Sequence, residues 1–140
     1  MAYIPTDAQW YVAEIVEQVI IEGDPRNVVH RNLVLIRADS PETAYEKALS
    51  FGRSSETDYD NSEGKQVHIR FRGLSDLNVI HDKLEDGAEL MYEEKVGLTN
   101  ESIERLISPK ERLAVFRPIE HTKGPDYSSR EILDETRKLL

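Results

Sequence analysis

The chain is 140 residues long and acidic, with 27 Asp and Glu against 18 Lys and Arg and a formal net charge of −9. That length suits one domain with an ordinary core, and the charge disfavours nucleic acid or an anionic membrane as a partner, because neutralising phosphate needs clustered Lys and Arg. There is no cysteine, which excludes disulfides, thiolate catalysis and Cys-bound zinc and agrees with a cytoplasmic setting.

The opening residues, MAYIPTDAQW, lack the basic start and apolar stretch of a signal peptide, and the apolar runs are too short for a membrane-spanning helix. Residues 10–21, WYVAEIVEQVII, form the first predicted strand. Alternation puts Tyr11, Ala13, Ile15, Val19 and Ile21 on one side, interrupted by Glu17. Trp10, Val12, Val16 and Ile20 lie on the other with Glu14 and Gln18. Both sides are apolar, so the strand is expected to be central or covered twice. Residues 22–27 carry Gly23, Asp24, Pro25 and Asn27, the chemistry of a hairpin connection. The second strand, residues 28–38, holds Leu-Val-Leu-Ile at 33–36.

Ser40 is a good N-cap, and Pro41 suits the first helical position, where its missing N–H has no partner to lose. Ala44, Tyr45, Ala48 and Leu49 then make an apolar stripe at helical spacing, and Gly52 is expected as the left-handed C-terminal cap. Residues 53–65 are polar and read as a loop. In residues 66–73, Val67, Ile69 and Phe71 alternate with His68, Arg70 and Arg72, a half-buried strand. Residues 77–81 and 88–97 supply a fourth and a fifth predicted strand, with a turn at Asp86 and Gly87.

Thr99 or Asn100 caps a short helix carrying Ile103, Leu106 and Ile107, with Leu98 as a staple residue; Pro109 interrupts it, and Ser108 with Glu111 opens a further short turn. After Phe116 the chain is punctuated by Pro and Gly, and Ser128 with Glu131 starts an amphipathic tail. The order ββαβββα plus a C-terminal helical tail predicts an α+β fold: a mainly antiparallel sheet of about five strands with helices packed on one face. Residues 1–117 form the expected domain, and residues 118–140 a linker and tail.

Candidate chemistry is sparse. His30, His68 and His81 fall in three predicted strands, with His30 and His68 candidates to share a face, but no histidine spacing marks a metal site. Asp58, Asp60 and Ser62 imitate a calcium loop that fails at Glu63, where glycine belongs, and at Ile69, where a bidentate glutamate belongs. His68, Arg70 and Arg72 project together, either as an anion-binding surface or as a face neutralised by Glu14, Glu89 and Glu93; no Gly-rich phosphate loop accompanies them. Nothing calls for a cofactor or a metal, and the serines lack a nucleophile-elbow context.

The side of the first strand bearing Trp10, Val12, Val16 and Ile20 is too apolar to stand bare. Burying four such groups contributes on the order of 6–10 kcal/mol before entropy. With the first helix expected on the opposite side, the lid is the C-terminal segment, the second helix or another subunit, and a homodimer follows as the expectation.

Three passages together, WYVAEIV, GDPRNVVHRNLVLIRADSPETAYEKAL and RFRGLSDLNVIHDKLEDGAELMYEE, resemble the bacterial family called domain of unknown function 4288 over residues 10–118. The resemblance implies a small stand-alone bacterial protein and carries over no catalytic residue. The expected function is a nonenzymatic binding or interaction module, acting as a homodimer or on a protein partner, in one version an immunity-like protein neutralising a basic partner. The competing expectation is a small-molecule enzyme or ligand sensor built on His30, His68, Arg70 and Arg72.

Overall fold

A computed structural model of the chain describes residues 4–118 and 124–129. These residues fall into two compact units, one within Met1–Met91 and Pro125–Leu140, the other within Tyr92–Gly124.

The first unit is α+β. Strands β1 (Trp10–Ile21), β2 (Val28–Arg37), β3 (Thr57–Asp60) and β4 (Gln66–Val79) form one antiparallel sheet in the order β2-β1-β4-β3. Helix α1 (Pro41–Ser54) follows β2. The hairpin joining β1 to β2 turns at Gly23, whose φ of 78° suits a residue without a Cβ, and Asp24 accepts from the Arg26 backbone N–H at 2.9 Å. The β1–β2 register is unbroken, from Trp10 opposite Arg37 to Val19 opposite Val28.

Helix α1 begins as its sequence requires. Ser40 accepts from the Thr43 N–H at 3.2 Å and Pro41 occupies the first turn. Ala44 and Ala48 are small enough to bring the helix close onto Tyr11, Ala13 and Ile15 of β1 and Ile36 of β2, the main core. The helix thus lies on the side of β1 opposite Trp10, as expected. A second core cluster on that same side joins Val19, Ile21 and Val67, with Val28, Tyr59 and Ile69 around it.

Three expectations need correction. The sheet has four strands among the described residues, not about five, and residues 88–97 form none. Residues 66–73 and 77–79 belong to one strand, β4, which carries two bulges where its register against β1 shifts. Arg72 and Ser75 are the extra residues, and Gly73 beside the first has φ of 139°. The bulges keep Phe71, Leu74, Leu77 and Val79 packed on the main cluster even though their spacing is not a regular alternation. The supposed loop at 53–65 contains β3, followed by a turn organised by the buried Asn61, whose Oδ1 accepts from the N–H groups of Glu63 and Lys65, both at 2.9 Å.

Gly52 also plays a different part. The helix runs through it to Ser54, and the glycine is needed because the Phe71 ring lies against it: an added Cβ would sit 2.4 Å from Phe71 Cε1.

The second unit holds α2 (Asn100–Leu106) and two short 3-10 turns, Lys110–Arg112 and Ala114–Phe116. Thr99 caps α2, accepting from the Ser102 N–H at 3.2 Å, and Lys110 sits over the Phe116 ring at 5.2 Å. None of these three elements buries a residue. The tail helix expected beyond Ser128 falls on residues 130–140, outside the described residues.

Candidate interaction surface

The two sides of the sheet differ sharply. On the helix side, Glu17 interrupts the apolar row of β1 and is nonetheless buried. It is answered by the end of α1, where Ser55 Oγ donates to Glu17 Oε1 at 2.5 Å. Opposite Glu17 on β2 is His30, whose ring meets Tyr127 edge-on at 5.3 Å. Tyr127 in turn receives the Tyr59 hydroxyl on its carbonyl, and Asn61 Nδ2 donates to the Asp126 carbonyl at 3.0 Å. Residues 125–129 therefore lie along the helix side, over the second core cluster. They are not the lid expected for the Trp10 side. Burial pushes the Tyr59 hydroxyl up, with Tyr127 and Asp126 adding to the shift.

The other side, here called the open side, carries the exposed apolar residues of β2. Register puts Trp10, Val12, Val16 and Ile20 of β1 beside Leu35, Leu33 and Val29 of β2. Val12 is 6% exposed and Trp10 and Val16 are half-buried, but Ile20 is 39%, Leu35 46%, Val29 56% and Leu33 63% exposed. Trp10 lies under the Arg37 guanidinium, 5.6 Å from ring centre to Cζ. Arg31 reaches back across the pair to Glu14 at 2.6 Å.

The basic residues named from sequence divide. His68 and Arg70 stand together on β4 at the border of the open side, both bound to Asp58 of β3: His68 Nδ1 lies 2.5 Å and Arg70 Nη2 2.8 Å from Asp58 Oδ1. The His68 contact, then the Arg70 hydrogen bond, hold the Asp58 carboxyl below the usual carboxylate range. Arg72, at the bulge, donates to Gln18 Oε1 at 2.7 Å. His30 is on the opposite side of the sheet, because Glu17, its partner on β1, faces α1 whereas Ile20, the partner of His68, faces away. The structure thus brings together His68, Arg70 and Arg72 and separates His30 from them. Asp58 pairs with His68 and Arg70, the uncharged Gln18 accepts from Arg72, and Glu14, expected to neutralise this group, pairs with Arg31 instead.

A family model described as a domain of unknown function, DUF4288, matches residues 10–92. This chain belongs to the DUF4288 family. The match ends where the first compact unit gives way to the second, so the DUF4288 domain contains the whole sheet and α1. Neither a curated protein nor a solved structure matches the chain.

Sequence reasoning located the apolar row of β1 but missed its extension onto β2. The signal was present: pairing the strands across the loop at 22–27 sets Leu33 and Leu35 beside Glu14 and Val12. Asp58 was missed as the anchor of His68 and Arg70 because β3 has only four residues, exposed or half-buried, with no apolar alternation to mark it.

Proposed function

We propose that this DUF4288 chain is a nonenzymatic interaction module, working in the bacterial cytoplasm as a homodimer or on a protein partner through the open side of its sheet. The observation that carries the proposal is the set of exposed Val29, Leu33 and Leu35 on β2 and Ile20 on β1, all on one side of the sheet. Apolar groups massed on one sheet face favour association, at about 25 cal/mol per Å² removed from water. The basic groups at its border are held by Asp58 and Gln18 and so are engaged in structure, which supports a docking border over a reaction centre. The immunity-like version, with a basic partner, draws support from the net charge of −9. The open side itself is balanced, with Arg31, Arg70 and Arg72 against Glu14, Asp58 and Asp76, which favours a less basic partner or a second copy.

The test is size-exclusion chromatography with light scattering on the full chain and on a Val29→Glu/Leu35→Glu variant, with partner capture from the native host by each. Self-association or a stoichiometric partner lost in the variant supports the module. Identical behaviour of the two proteins, with each a lone chain at micromolar concentration, refutes it.

A further inference from the structure

We propose that β2 is the joining edge of a homodimer, pairing antiparallel with β2 of a second copy so that two four-stranded sheets become one eight-stranded sheet. This rests on the interaction-module reading and names its partner and geometry.

β2 ends the order β2-β1-β4-β3. The Ala38 N–H donates to the Gln9 carbonyl at 2.9 Å, and the unbroken register repeats that hydrogen-bonded pairing at every second residue. The even-numbered residues of β2 therefore direct their backbone groups to β1. Those of Val29, Arg31, Leu33 and Leu35 point away from the sheet, and among the described residues nothing pairs with them. The outward carbonyl of Arg37 is taken by Lys47 Nζ at 2.5 Å, which bounds the free stretch.

Long free edges are ordinarily guarded by proline, bulges or projecting charge. The ten residues of β2 contain no proline and no register shift. The two charges that would guard this edge are drawn back over β1, Arg31 onto Glu14 and Arg37 over Trp10. What remains at the edge is apolar: Val29, Leu33 and Leu35 have their side chains exposed on the open face and their backbone groups directed outward.

A second copy is the occupant this edge fits. At a net charge of −9, two chains repel over most of their surfaces. The open face is the exception, because Arg31, Arg37, Arg70 and Arg72 offset Glu14, Asp58, Asp60 and Asp76 there. The outward row is also self-complementary about a two-fold axis at Leu33. Across that axis Leu33 meets its own copy, Arg31 faces Leu35, and Val29 faces Arg37, so no like charges stand opposite one another.

Two measurements on the full chain test this. The chain has no cysteine, so Ser50→Cys on the exposed side of α1 gives a single spin label per copy. Edge pairing keeps both α1 helices in one layer, with axes roughly 15–20 Å apart, about three to four strand spacings. Face-to-face packing of the open sides puts them on opposite outer surfaces, roughly 30 Å apart from one sheet gap and two helix layers. The short distance is expected. The long one overturns the edge while leaving the interaction module standing. A monomer, with no dipolar coupling, overturns the edge too, and the module is then decided by partner capture. The second measurement compares Leu33→Pro with Leu33→Ala. The proline removes only an outward N–H and leaves the β1 ladder intact, so it should weaken dimerisation at least tenfold more than the alanine; equal weakening refutes backbone pairing at this edge.

Discussion

Replacing Gly52 with alanine should destabilise this protein, against the usual rule for helices. In a helix interior, glycine to alanine gains about 1 kcal/mol, because glycine gives up more backbone freedom on folding. Here the new Cβ would lie 2.4–2.6 Å from three atoms of the Phe71 ring, and forcing a methyl group into such a contact costs about 1–3 kcal/mol. The overlap outweighs the propensity, leaving a net loss of about 1 kcal/mol. A second background separates the steric overlap from the helix propensity. Phe71→Ala costs about 3 kcal/mol by itself, but it removes the obstacle, so Gly52→Ala added to it should stabilise by about 1 kcal/mol. The coupling between the two sites is then about 2 kcal/mol, well above the non-additivity of independent positions. Urea unfolding of the four proteins of this cycle, with m-values held constant, measures it. A stabilising Gly52→Ala in the wild-type background, or additive effects, would refute the assignment of Gly52 to close packing.

Tyr11 has a buried hydroxyl with no hydrogen-bond partner among the described residues, so Tyr11→Phe should be neutral or stabilising by about 1 kcal/mol in chemical denaturation. Ser55→Ala removes a donor from the buried Glu17 carboxylate and should cost about 1–3 kcal/mol in the same assay. The Asp24 carboxyl is lowered to about 2 by the Arg26 side-chain and backbone hydrogen bonds. Its folded value lies below its unfolded one, so its stabilising contribution is complete above the ordinary carboxylate range and fades as pH falls towards 2. Carbon-detected NMR titration should find that low value, and Arg26→Ala should raise it part of the way back, because the backbone N–H at position 26 still donates.

The elements that could be read from the sequence were those whose local pattern and tertiary role agree. In α1, Ser40 and Pro41 fix the start and Ala44 and Ala48 are buried as the stripe requires, whereas Tyr45, read into the same stripe, is exposed. The strand β1 showed two apolar sides, and the helix was expected on the one opposite Trp10, where α1 lies. The misreadings arise where one signal serves two causes. Gly52 looks like a cap because glycine ends helices, yet here it makes room for a ring. The gaps of three from Phe71 to Leu74 and on to Leu77 look like a break between strands, yet they are bulges within one. Residues 88–97 carry Leu90, Met91, Tyr92 and Val96, apolar enough to suggest a strand, but all four are exposed and no strand pairs with them among the described residues. The sidedness of His30 and His68 needed the register of three strands, which no local window contains.

The paired bulges of β4 also bear on how the family can vary. Each accommodates one surplus residue without turning its neighbours over, since Phe71 and Gly73 keep their places opposite Glu17 and Val16, and Leu74 and Asp76 theirs opposite Ile15 and Glu14. Losing Arg72 or Ser75 would shorten the chain yet leave every other side chain on its original side, whereas a deletion elsewhere in the strand would invert all that follows. Length differences among homologous chains should therefore gather at these two positions, as slack in an otherwise rigid frame.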